Sequence, residues 1–231
     1  MKLIQTKLAR SIWLFDIRDM NPKGKDIIGD LVSWIKESYD FAVAPDSNNP
    51  LPNATPPPTT AAPKAEVPLG LTFQRGSFQA EEEIYVAINN LTIYDDGIVI
   101  DSASSTEDGD KFGIDLLKSA AQEFALTFDA DTVRKRLYLS ELVVRSDINL
   151  TSLSPILPTF LEKISSAAVP FAVGGISFWT DADAASRHKT FRFERQAGRA
   201  LDENRYFSDA QMETKAHFIA LQEFERLVMG R

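Results

Sequence analysis

The sequence predicts an α+β fold: a mainly antiparallel sheet of about six to seven strands, with three to four helices packed largely on one face. Three observations carry that reading. Short β-rich runs follow one another across turn residues, as in hairpins, more often than they alternate with helical segments. Asp96-Gly97 stands between two such runs, where a two-residue hairpin turn needs positive backbone angles. Four other stretches repeat apolar residues at helical spacing.

Residues 11–18 read as the first strand, with Ile12 and Leu14 on one face and Trp13, Phe15 and Ile17 on the other. Ile28, Leu31, Val32, Ile35 and Tyr39 then mark a helix over about 27–41. Residues 44–68 hold most of the chain's twelve prolines and almost nothing apolar to bury. They read as a flexible, polyproline-like linker or insertion that interrupts a single domain spanning 1–231. Residues 69–79 form a strand with a bulge or turn at Gly76, and Glu81-Glu82-Glu83 a solvated turn. The best-patterned stretch follows. A strand over 84–94 turns at Asp96-Gly97 into a return strand at Ile98, Val99 and Ile100, apolar on both faces and so central. Ser104, Ser105 or Thr106 caps the next helix, whose inner face carries Leu116, Leu117, Ala120 and Phe124.

Residues 133–146 alternate as a half-exposed strand. Val133, Leu137, Leu139 and Val143 oppose Arg134, Arg136, Tyr138 and Ser140. A shorter helix over 155–168 uses Ile156, Phe160, Leu161 and Ile164. Residues 171–180 are apolar with a Gly-Gly interruption, as in a buried strand with a bulge, and 190–195 alternate as another strand. The last helix starts at Ser208, which makes a capping box with Gln211. Trp13 and Trp179 are expected in the core, Trp34 at the boundary of its helix.

Composition excludes more functions than it suggests. With no cysteine, the chain has no disulfide, thiolate metal site, iron–sulfur cluster or cysteine nucleophile. Two histidines argue against a multi-histidine metal centre, and a net charge of −8 against a protein that grips a polyanion. The N-terminus lacks a signal-peptide pattern, and no run is long enough to span a bilayer, so the expectation is a soluble, cytoplasmic protein without a membrane partner. Gly24-Lys25 lacks the other residues of a phosphate loop, and the prolines match PxxP poorly.

Three constellations remain. The carboxylates Asp95, Asp96, Asp101, Glu107, Asp108 and Asp110 could bind a divalent cation, but Ala103, Ser105 and Thr106 break an EF-hand pattern. Turn chemistry and a helix dipole explain them more simply. His188, beside Arg187 and Lys189, and His217 belong to no nucleophile motif. A nuclease-like metal site would need Asp101 with Glu194, near Lys189 or Arg192. The densest basic zone holds Arg187, Arg192, Arg195, Arg199 and Arg205, interleaved with Phe191, Phe193, Tyr206 and Phe207. Arginine among aromatics suits a protein interface, and Glu194, Asp202 and Glu203 dilute its charge for nucleic acid.

The expectation is a non-enzymatic interaction or assembly component without a cofactor, whose interaction residues are Arg192, Arg195, Arg199, Arg205, Tyr206 and Phe207. Its partners are proteins, with self-association as one form. The alternatives are a metal-dependent hydrolase or nuclease using Asp101 and Glu194, and a nucleic-acid-binding module.

Overall fold

The computed structural model describes residues 1–46, 70–129, 131–166, 171–180 and 190–230. Most of the proline-rich segment lies outside the described residues, as does the 181–189 connection with Arg187, His188 and Lys189. The chain runs β1 (Lys2–Leu14), α1 (Ile17–Met20), α2 (Ile28–Ser38), β2 (Leu71–Glu81), β3 (Ile84–Tyr94), β4 (Gly97–Ser102) and α3 (Thr106–Glu123). It continues with β5 (Lys135–Arg145), α4 (Ile156–Ile164), β6 (Gly175–Trp179), β7 (Thr190–Arg195), β8 (Arg205–Ala210) and α5 (Thr214–Val228). The eight strands belong to one sheet, in the order β2-β3-β4-β1-β5-β8-β7-β6. The β2–β3, β3–β4, β5–β8, β6–β7 and β7–β8 pairings are antiparallel. The class is α+β as expected, with eight strands among the described residues rather than six or seven. The additional one is β8. Among the described residues, no helix is long and apolar enough to cross a membrane.

The chain divides into two compact units, a first of Arg10–Tyr138 and a second of Met1–Ala9 with Leu139–Arg231. In the first, Trp13, Phe73, Ile88, Leu91, Ile100 and Phe112 are fully buried and form the centre of the core. Strand β1 begins nine residues earlier than the pattern suggested and ends at Leu14, two residues before Asp16, whose carboxylate accepts from the Arg18 N–H and starts α1. The β3–β4 hairpin closes on the pair Tyr94↔Gly97, so its two loop residues are Asp95-Asp96, one position before the expected Asp96-Gly97. Gly97 is needed for a different reason. Its φ is +149°, and a Cβ there would lie 2.0 Å from the Trp13 carbonyl oxygen. Gly76 likewise is no bulge. It keeps register with Ile88 and leaves room for the Phe41 ring, 2.5 Å from where a Cβ would sit.

Helix α3 starts as read. Ser105 Oγ accepts from the Asp108 N–H at 3.1 Å, and Leu116, Leu117 and Ala120 are buried. Its last turn carries no basic residue. Lys25 supplies one from outside, donating to the Phe124 and Ala125 carbonyls at 2.8 and 3.0 Å.

In the second unit, Leu142, Val144, Ile148, Phe193, Tyr206 and Leu221 form the core. The phase expected for β5 holds only at Val143, which is buried: Ser140, Leu142 and Val144 of the opposite parity are buried too, whereas Leu137 and Leu139 are half-buried. Nor do the polar residues in the first-unit part of β5 face plain solvent. Arg136 stacks over Trp13 at 4.1 Å, and the Tyr138 hydroxyl donates to Asp110 at 2.7 Å. Ser208 lies inside β8 and caps nothing; α5 begins at Thr214 without a side-chain cap. Helix α4 forms where expected but buries no residue, with Ile156 72% and Phe160 53% exposed. Strand β6 is not a buried strand. It ends the sheet order, and Trp179 is 70% exposed, so the expectation that Trp179 is core does not hold.

Candidate interaction surface

The register of β5, β8, β7 and β6 builds the surface row by row. Glu141, Asp209, Arg192 and Ser177 are successive cross-strand partners and therefore share one face. Residues two positions along stay on that face: Trp179 beside Thr190, and Phe207 beside Glu194 and Gly175. The intervening residues point the other way. Phe193, Ser208 and Leu142 form one such row, on the side where Leu221, Phe218 and Phe224 of α5 pack. Within this unit one sheet face is therefore covered by α5. The other presents arginine, carboxylates and two aromatics.

That presented face is electrostatically closed on itself. Arg192 donates from Nε to Asp209 at 2.6 Å, lies 3.8 Å from Glu194 and stands over the Phe207 ring at 5.6 Å. The Asp209 hydrogen bond raises the Arg192 pKa further above its usual value. Arg199 and Arg205 share Glu203, at 3.8 and 3.6 Å. On the opposite face of the sheet, Arg195 stacks over Tyr206 at 5.2 Å. Four of the arginines read as one basic zone are thus paired or stacked locally, which leaves little uncompensated positive charge to hold phosphates.

Tyr206 leaves the expected interaction set, because it is completely buried. Its ring stacks on Phe193 at 4.5 Å and its hydroxyl donates to the Ile148 carbonyl at 3.0 Å. Phe207 stays, half-buried, at the foot of Arg192. Sequence reasoning missed Trp179, because an apolar run flanked by glycines looks the same whether it faces a core or a partner. The one available signal was the absence of any charge in Gly175–Trp179.

The proposed metal residues have other partners. Asp101 is 4% exposed, and both its oxygens are taken by the Arg10 guanidinium, at 2.6 and 2.8 Å, with Asn90 donating at 3.3 Å. It belongs to the first unit and Glu194 to the second. Two carboxylates of the acidic loop are similarly satisfied. Asp108 accepts from Ser104 and Ser105, and Asp110 from the Trp13 indole and the Tyr138 hydroxyl. Among the described residues no three carboxylates or histidines are grouped to hold a metal ion.

His217 is fully buried between two serines that are themselves fully buried. Ser208 donates its hydroxyl hydrogen to the Arg192 carbonyl at 2.6 Å, so its oxygen accepts from His217 Nε2–H at 2.8 Å. Nδ1 is then the acceptor for the Ser140 hydroxyl. The chain of donors leaves no place for a second imidazole proton, and burial pushes the pKa down to about 4, against the opposing pull of Asp209. A serine beside a histidine could suggest a nucleophile, but no reacting atom can reach a pair with zero exposure. This is a core linkage of β5, β8 and α5.

Compared with known proteins, the chain matches no family model, no curated protein and no solved structure.

Proposed function

We propose that the protein is a non-enzymatic interaction component that takes a protein partner on the presented face and outer edge of its second unit. The observation that carries this reading is strand β6. It has no charged residue, it ends the sheet order, and it exposes Phe178 by 53% and Trp179 by 70%. Proteins ordinarily blunt such an edge with charge, proline or a covering segment, because its backbone groups template strand addition. The flanking row of Ser177, Arg192 and Asp209 supplies a polar rim to an aromatic anchor, the composition of a protein interface. Satisfaction of the carboxylates and burial of the histidine favour this reading over metal-dependent hydrolysis.

The test is capture of the protein from its host, crosslinking through a photoreactive residue at position 177, on the same face of β6 as Trp179, and identifying what is attached. A stoichiometric protein partner crosslinked there, and lost from Trp179→Asp protein of unchanged circular dichroism, is the expected outcome. The same partners retained by Trp179→Asp, or none in any growth condition, would overturn the reading.

A further inference from the structure

The core of the first unit is incompletely filled. A cavity of about 300 Å³ opens between α2, α3 and the strands they cover. Its floor is buried and apolar, formed by Met20, Ile35, Ile98, Leu116 and Ala120. Its rim is different in kind: Arg18, Gly24 and Asp95 are exposed, with Asn21 and Lys25 half-buried beside them. Water is a poor occupant of the floor, since a stable buried water needs two to four polar partners and those side chains offer none. An apolar occupant is the better match.

The rim specifies what such an occupant carries. Among the described residues the Arg18 side chain makes no ion pair. Lys25 spends two of its three N–H donors on the carbonyls that end α3, leaving one. Two cations against the single carboxylate of Asp95 favour an anionic group at the mouth. The volume sets the length of the apolar part. An engineered cavity of roughly 150 Å³ admits the six carbons of benzene, so one twice that size takes on the order of ten to twelve carbons. The cavity runs from core to surface, so the molecule is elongated, with its charge at one end.

We propose that this cavity binds a medium-chain fatty acid, its acyl chain along the Met20, Ile98 and Leu116 floor and its carboxylate at the Arg18–Lys25 corner. The inference stands apart from the partner surface, which belongs to the other unit, so each can fail alone.

Titration calorimetry of the delipidated full chain with decanoate, dodecanoate and decanol tests it. Saturable one-to-one binding of decanoate is expected. Ala120→Phe places a ring where the chain lies and abolishes binding while circular dichroism is unchanged. Should that variant not fold, Leu31→Trp on the half-buried wall serves the same purpose. Arg18→Ala, an exposed change, weakens decanoate about tenfold, as loss of one charge-assisted hydrogen bond does, and leaves decanol unaffected. Absence of binding up to the solubility limit, or binding unchanged by the filling variant, overturns the site. Decanol binding as tightly as decanoate overturns the carboxylate assignment.

Discussion

His217 should make the second unit acid-labile. Its neutral tautomer is fixed by the relay from Ser140 through the imidazole to Ser208 and the Arg192 carbonyl. Protonation of the folded state breaks that relay in a site without exposure. The folded pKa is therefore depressed from 6.5 to about 4. Above pH 6.5 neither state binds the proton and the histidine has no pH effect. Below it the unfolded chain is protonated while the folded chain is not, so stability falls as pH falls, at about 1.4 kcal/mol per unit. Protonation of the folded form near pH 4 ends the decline, after a total loss of roughly 3 kcal/mol. The comparison is His217→Gln, whose amide can accept from one serine and donate to the other but does not titrate. Urea unfolding at steps from pH 7.5 to 4.0, read by hydrogen exchange of the β8 amides, should show a slope in the native protein that the variant lacks. Parallel pH profiles for the two proteins would refute the reasoning.

Two further outcomes follow from the packing. Asp101→Asn keeps the shape but strips the counterion from Arg10, whose side chain is 37% exposed and so partly solvated. It should cost about 2 kcal/mol in urea unfolding, with no change in divalent-metal binding; a metal-dependent Tm lost in the variant would restore the enzymatic reading. Val144→Ala, at a fully buried position, should cost about 2 kcal/mol and clearly more than Leu139→Ala at a half-buried one. The reverse order would show that Leu139, not Val144, faces the core.

The phase of β5 marks where the sequence stops being legible. Period-two alternation announces a strand but not which face is inside, and residues 142–144 are apolar at both parities. What decides is outside the strand. Phe193, Tyr206 and Leu221 gather on the Leu142 and Val144 side, while Asp110 holds the Tyr138 hydroxyl and the Trp13 ring lies under the exposed Arg136. Ser208 shows the same limit for polar residues. A serine three positions before a glutamine looks like a helix start, yet its hydroxyl serves a histidine nine residues on. Elements whose signals are local were readable: the Ser105 cap, the buried stripe of α3, the bounds of β7 and the central place of β4. The Arg192 surroundings were only half visible, because composition shows arginine beside acid but not that Asp209 sits directly across the strand pair.

Strand β6 poses the sharper question, since an apolar run has two physical uses. Burial against the chain itself and burial against another molecule draw on the same transfer of apolar surface from water. The two edge strands of the sheet separate them. Along β2, the backbone at 39–43 covers the edge: Val43 and Gln74 exchange both hydrogen bonds, Ser77 N–H donates to the Tyr39 carbonyl, and three glutamates follow. That edge is closed by the chain's own devices. Along β6 the described residues supply no covering strand and no charge, and the exposed side chains are a phenylalanine and a tryptophan. Among the described residues one edge is closed by the chain itself and the other carries aromatic surface, and that contrast is what the proposed interaction reading rests on.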